Sequence, residues 1–160
     1  MKIKTGLGQD SHRFDFEDKS KPLILGGVVF EDAPSLKGNS DADVVLHAVT
    51  NAVSGITGVN ILGAIADKLC ARHKITDSRV YLRESLRYLE SWTICHLSCS
   101  IECKQPKISP KINEMKKSLA HLLGLTEQDI GITATTGEEL TAFGRGEGIQ
   151  VLCIITAVKE

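Results

Sequence analysis

The stretch TICHLSCSIEC, residues 93–103, decides how this chain folds. Cys95, Leu97, Cys99, Ile101 and Cys103 alternate with His96, Ser98, Ser100 and Glu102. At helical spacing the apolar set would scatter around the axis, whereas at strand spacing it forms one face. The stretch therefore reads as a strand with one face in a core and a different face opposite. The cysteines are then packing residues, and the alternative use of the same pattern is a metal face of three thiolates.

On the N-terminal side, SDADVVLHAVTNAVSG (residues 40–55) reads as a helix, with Ser40 and Asp43 at capping-box spacing. Its polar residues Asp43, His47, Thr50, Asn51 and Ser54 form one narrow stripe on an otherwise apolar cylinder. Such a helix is buried on several sides, so His47 faces either solvent or a polar pocket. Residues 2–14 read as a strand, and PLILGGVVF (22–30) as a second one broken at Gly26-Gly27, followed by turn chemistry over 31–39. On the C-terminal side a short helix is expected over 62–70. A second is capped by Asp77 and runs to about Glu90, with Leu82, Leu86 and Leu89 inward. A third occupies ISPKINEMKKSLAHLLGL, with Ser109 as N-cap, Pro110 at the first helical position and Gly124 as the stop. The strand GITATT, the glycine-rich turn GRGEG (144–148) and the strand IQVLCIITAV complete the chain. Interspersed strands and helices imply an α/β (α+β) two-layer sandwich, a mixed sheet of about four strands with helices on one face. Apolar residues on the other face would be covered by another subunit.

The 160 residues, 42% hydrophobic and 24% charged, suit one globular domain over 1–160. A net charge of −1 lacks the basic excess of a nucleic-acid-binding protein. No apolar run is long enough to span a bilayer and no signal-peptide core stands at the start, so a cytoplasmic protein is expected. Five cysteines without a CxxC pair argue against a disulfide framework or a structural zinc knot.

Two clusters carry chemistry. In GQDSHRF (8–14), Asp10 and His12 are two apart and share a strand face, and His47 supplies a third ligand type. One carboxylate and two imidazoles leave zinc a fourth, open position, as catalytic sites do. The plainer readings are a surface ion pair of Asp10 with Arg13, and a buried His47 bonded to a carbonyl. In ATTGEELTAFGRGEGI (134–149), Thr135, Thr136 and Glu138 end a strand with hydroxyls, turn amides and a carboxylate, suited to phosphate oxygens and magnesium. Arg145, between glycines, could hold an anion; a plain surface turn is the alternative.

In order and spacing, GQDSHRF, LILGGV, SDADVVLHAVTNAVSG, QPK near residue 105, ATTGEE and GRGEGI resemble the 2-C-methyl-D-erythritol 2,4-cyclodiphosphate synthase family, from about residue 3 to residue 158. The resemblance implies a homotrimer with active sites between subunits. It implies zinc (or another divalent transition metal such as Mn2+) on Asp10, His12 and His47, and Mg2+ held by the substrate phosphates and Glu138. The implied enzyme is a phosphorus–oxygen lyase of non-mevalonate isoprenoid biosynthesis. In it, the 2-phosphate of 4-diphosphocytidyl-2-C-methyl-D-erythritol 2-phosphate attacks the β-phosphorus and CMP leaves. Thr136 and Asn39 match positions that act on the transition state, and Ser40 and Gly63 flank the substrate. The segment Cys103, Lys104, Gln105, Pro106, Lys107 matches the cytosine-binding loop, with Lys107 adding positive charge near the diphosphate. Thr135 lies beside Thr136, and Arg145 matches an arginine lining the trimer axis, where an isoprenoid diphosphate binds in family members.

This chain departs from the family pattern at Asn39, where a histidine is usual, and at Ile61, where an aspartate holds the ribose. Asn60 is a replacement acceptor if the loop shifts. Ala66-Asp67-Lys68 replaces a Phe-Pro-Asp stretch, and Ala142 replaces an aromatic residue near the axis. These departures keep open a second reading, a non-catalytic trimer that binds an isoprenoid diphosphate or a cytidine nucleotide.

Overall fold

The computed structural model describes the backbone of residues 1–160 and every side chain except those of Leu69, Arg72 and His73. Seven strands and four helices follow one another: β1 (Lys2–Asp15), β2 (Leu23–Leu25), β3 (Val28–Phe30), β4 (Ser35–Leu36), α1 (Val44–Thr57), α2 (Ala64–His73), α3 (Ser78–Leu86), β5 (Thr93–Glu102), α4 (Ile112–Leu123), β6 (Ile130–Thr135) and β7 (Gly148–Lys159). The main sheet is mixed, in the order β4-β1-β7-β5-β6, with only β5 and β6 parallel. It has five strands rather than four because the two-residue β4 adds an edge. The expected strand over 22–30 is a hairpin instead: Gly26 and Gly27, both at positive φ, turn the chain so that β2 and β3 pair with each other, apart from the main sheet.

Residues 93–102 form the expected strand, with Leu97, Cys99 and Ile101 buried. A bulge between Ile94 and His96 reverses the phase, so Ile94 points inward and Cys95 is exposed. That excludes a three-thiolate face, and Cys99 instead lies opposite Cys153 of β7. Helix α1 starts later than the Ser40 capping box implies: Asp43 is the N-cap, accepting from the Leu46 amide at 3.0 Å. The fully buried Asp43 carboxylate also accepts from the Gly26 and Gly27 amides at 2.8 and 2.7 Å, so one side chain caps the helix and pins the hairpin turn. The stripe is not a solvent face either, since Thr50 and Ser54 are buried and Thr50 bonds back to the Leu46 carbonyl. Helix α2 begins at Ala64 rather than 62, and α3 ends at Leu86 in a 3₁₀ turn over Arg87–Leu89. Ser109-Pro110 open a separate 3₁₀ turn, so α4 starts at Ile112, and Gly124 (φ 68) ends it as expected.

What positions the site is the contact of α1 with β1. Gly6, Gly8, Asp10, His12 and Phe14 alternate along β1 toward one face. A Cβ on Gly8 would lie 1.9 Å from the Ala48 carbonyl oxygen and 2.4 Å from the Ala52 amide, and one on Gly6 would lie 2.1 Å from the Ala52 carbonyl. Backbone touches backbone here, and the buried side chains of both layers join one cluster around it. Ile3, Leu7, Leu152 and Ile154 are exposed on the opposite face of the sheet. No helix among the described residues is long and apolar enough to cross a membrane. Because the obstacle at Gly8 is backbone, side-chain repacking cannot relieve it. Gly8→Ala is expected to cost about 3 kcal/mol, the upper end of ordinary overpacking, read as a lower urea midpoint at unchanged slope.

Candidate metal centre and phosphate turn

The close approach of α1 carries His47, one residue before Ala48, over the two polar residues that follow Gly8 on the same face of β1. Asp10, His12 and His47 converge there. Asp10 Oδ2 lies 3.0 Å from His12 Nε2 and 3.0 Å from His47 Nδ1, and the two ring nitrogens are 3.2 Å apart. Donors around a tetrahedral zinc with bonds of about 2.0–2.1 Å sit about 3.3 Å apart, so this triangle is one face of such a tetrahedron. The other nitrogen of His12, Nδ1, meets the Lys37 carbonyl at 2.7 Å. A carbonyl can only accept, so Nδ1 carries the proton and Nε2 turns a bare lone pair toward the Asp10 carboxylate. Lone pairs facing one another require a cation between them, and the donor set suits a transition metal.

Burial works against the charge on Asp10, but the neighbouring His12 and His47 imidazoles outweigh it and pull the carboxyl down to about 2. For His12, burial disfavours the imidazolium, yet the Asp10 carboxylate more than compensates and raises its pKa above the ordinary value.

The triangle lines a cleft of about 730 Å³, whose rim includes Gly38, Asn39 and Ser40 on one side. Gly63, Ala66, Asp67 and Cys70 of the α2 region line the other, and Tyr81 packs toward His47 with ring centroids 6.4 Å apart. Asn39, Ser40 and Gly63 thus share one cleft with the triangle. Ile61 is fully buried, Asn60 does not line the cleft, and Asp67 is the carboxylate of the opposite wall.

The second cluster forms a separate cleft, lined by Lys104, Thr136, Glu138, Glu139 and Gly144. Gly137, Glu138 and Glu139 all have positive φ (66, 52 and 61°), a left-handed turn that costs a side-chain-bearing residue about 1–2 kcal/mol each. It is held from several sides. Lys104 Nζ contacts Glu139 Oε1 at 2.7 Å, Thr141 donates to Glu102, and the Gly144 amide donates to Thr141 at 3.0 Å. Thr135 accepts from the Gly137 amide at 3.1 Å. Cys103 is buried with its thiol toward the Pro106 carbonyl, so it offers packing and backbone rather than a thiolate; burial pushes its pKa to about 11. Gln105 and Lys107 flank Pro106, and Arg145 leans on Glu147 and the Glu139 carbonyl.

Sequence reading missed Asp67, Cys70 and Tyr81 on the cleft wall, and Ser78, whose hydroxyl lies 2.9 Å from His47 Nε2. Ser78 follows the helix cap Asp77, and that role accounts for its position without calling attention to the other.

The chain matches the model of the YgbB family over residues 3–158. It is 45% identical over 157 residues to the 2-C-methyl-D-erythritol 2,4-cyclodiphosphate synthase of Chlamydia muridarum, covering 98% of this chain and 88% of that one. It also superposes on the bifunctional IspDF of Campylobacter jejuni with a TM-score of 0.88 and 29% identity, covering 99% of this chain but only 43% of the larger one. The IspF–CDP complex of Plasmodium falciparum gives a TM-score of 0.84 at 25% identity, over 99% of this chain and 97% of that one.

Metal affinity should follow the proton at His12. A pKa raised above the ordinary imidazole value means that the competing proton begins to bind before free imidazole would. Chelator-competition titrations from about pH 8 down to about pH 5.5 should show zinc affinity falling, by about tenfold per pH unit once a proton must be displaced. Asp10, ionised throughout, adds nothing to that slope.

Proposed function

We propose a function for these clefts on one premise: the chain belongs to the YgbB family. It is a cyclodiphosphate synthase of isoprenoid biosynthesis. It converts 4-diphosphocytidyl-2-C-methyl-D-erythritol 2-phosphate into the 2,4-cyclodiphosphate, with loss of CMP, as a phosphorus–oxygen lyase. The observation that carries this reading is the Asp10–His12–His47 triangle, with its mutual spacings of 3.0–3.2 Å. Asp10, His12 and His47 would hold zinc or manganese, which would supply Lewis acidity to the diphosphate, and Glu138 would hold Mg2+, which would offset further charge.

The remaining work is positioning. Nucleophile and electrophile are anionic phosphates of one molecule, so holding them together and screening their repulsion is most of the task. No strong general base is needed, because a phosphate is already an anionic nucleophile at neutral pH. Thr136 donates a hydrogen bond to a phosphoryl oxygen, and Lys107 adds positive charge beside the diphosphate. Asn39 donates from the rim of the metal cleft without the positive charge of an imidazolium. Asp67 is the group on the α2 wall that can accept ribose hydroxyls in place of the buried Ile61. The backbone of 103–107 takes the cytosine.

The protein acts as a homotrimer with sites between subunits. Ser11, Gln150, Glu102 and Thr135 form one row across β1, β7, β5 and β6. Three strand spacings therefore separate the metal cleft from the phosphate turn within one chain, about 14 Å. That is too far for both to grip one diphosphate, so a neighbouring copy supplies the second half. The exposed Ile3, Leu7, Leu152 and Ile154 give such a copy an apolar face to cover. On this reading Arg145 lines the trimer axis and holds an isoprenoid diphosphate there.

The activity test is CMP release from the cytidylyl substrate by metal-loaded protein; none at high enzyme concentration would leave the nucleotide-binding, non-catalytic reading. Complementation tests the shared site. His47→Ala and Glu138→Ala proteins should each lose at least about 100-fold in rate. Unfolded and refolded together, they should regain roughly a quarter of wild-type activity, since one site in four pairs two intact halves across a head-to-tail interface. No recovery in verified mixed trimers would place both halves in one chain.

A further inference from the structure

We propose that Asp41 and Ser78 are a positioning pair for the metal centre: a carboxylate–hydroxyl–imidazole chain that holds His47 with its bare Nδ1 toward the metal. Ser78 is fully buried at the start of α3, and its hydroxyl sits between His47 Nε2, at 2.9 Å, and the Asp41 carboxylate. A serine hydroxyl has one proton, and a carboxylate can only accept. Ser78 therefore gives its proton to Asp41 and turns a lone pair to the imidazole. His47 Nε2 must then carry the ring proton, and Nδ1, 3.0 Å from Asp10 Oδ2, is left bare.

Asp41 is fixed for this role from several sides. Its carboxylate also accepts from the Ser78 and Asp43 amides, both at 3.1 Å, and its own amide donates to the Thr76 carbonyl at 2.7 Å. Between Asp41 and Asp43 the chain passes through Ala42 at φ 54°, a conformation that ordinarily costs a non-glycine residue about 1–2 kcal/mol. The segment thus accepts strain while directing one aspartate at α1 and the other at Ser78. The two imidazoles are oriented by different means: His12 by a backbone carbonyl, His47 by two side chains that substitution can remove. A carboxylate behind the hydroxyl also makes the imidazole a stronger donor to a cation, as second-layer carboxylates do for metal-bound histidines.

The proposal rests on the metal reading of the triangle, and its test separates the two. Zinc affinity is measured by competition with a chromophoric chelator for wild type and Ser78→Ala, and long-range 1H–15N spectra of the zinc-loaded proteins report the His47 ring. Wild type should show a slowly exchanging Nε2–H for His47. Ser78→Ala should bind zinc about 10- to 100-fold more weakly, with that resonance lost to fast exchange. Asp41→Asn, which keeps an oxygen acceptor, should lose less. A folded Ser78→Ala protein with wild-type zinc affinity overturns the proposal, as does a wild-type spectrum in which zinc sits on Nε2. If Ser78→Ala does not fold, the wild-type spectrum still decides. A wild-type protein that binds no zinc overturns the metal reading itself.

Discussion

The contact on which the rest depends is the one between α1 and the glycines of β1. Helices ordinarily stand off a sheet by the depth of interlocking side chains. At Gly6 and Gly8 that layer is missing, and Ala48 and Ala52 lay the helix backbone against the strand. Side chains on a strand face advance about 6.6 Å every second residue, and a helix advances 1.5 Å per residue. With Gly8 fixed under Ala48, Asp10 and His12 come up beside His47, and what remains to be specified is how the two imidazoles are turned. A longer standoff would separate the triangle even with all three residues present.

The same packing determines what the site can be. It collects lone-pair atoms rather than donor–acceptor pairs, so the cluster is incomplete without a cation. The phosphate turn has the opposite character, since strained backbone and several hydrogen bonds there fix its geometry in advance. The triangle gathers three side chains closely, and the turn is fixed in backbone geometry before anything binds. Both lie at the same end of the sheet, three strand spacings apart.

The strands over 2–15, 93–102 and 148–159, α1, and the stop at Gly124 were legible because periodicity and glycine chemistry are local signals. So were Asp10, His12 and His47 as a group that could hold a metal, read as types on a strand face and a helix stripe. Asp43 was misread because its three amide partners include two in a hairpin 16 and 17 residues away. Cys95 was misread because a bulge inverts strand phase without any Gly or Pro to mark it. The places of Ser78 beside His47 and of Asp67 on the cleft wall were invisible, since Ser78 is 31 residues from His47 and Asp67 has an ordinary surface composition around it. The distance between the two clefts came only from counting strands across the sheet.

The pairing of β1 with β7, from Lys2 with Lys159 to Arg13 with Gly148, bears on how the molecule comes into being. Pairs so distant in sequence close very large loops, and loop entropy must be met before their contacts contribute anything. Until β7 arrives, β1 has only the two residues of β4 to pair with in the main sheet, and its glycine-lined face has no firm support on which α1 can settle. The Asp10–His12–His47 triangle is then a product of complete folding. A cation that binds there should slow unfolding, while leaving the rate of folding almost untouched.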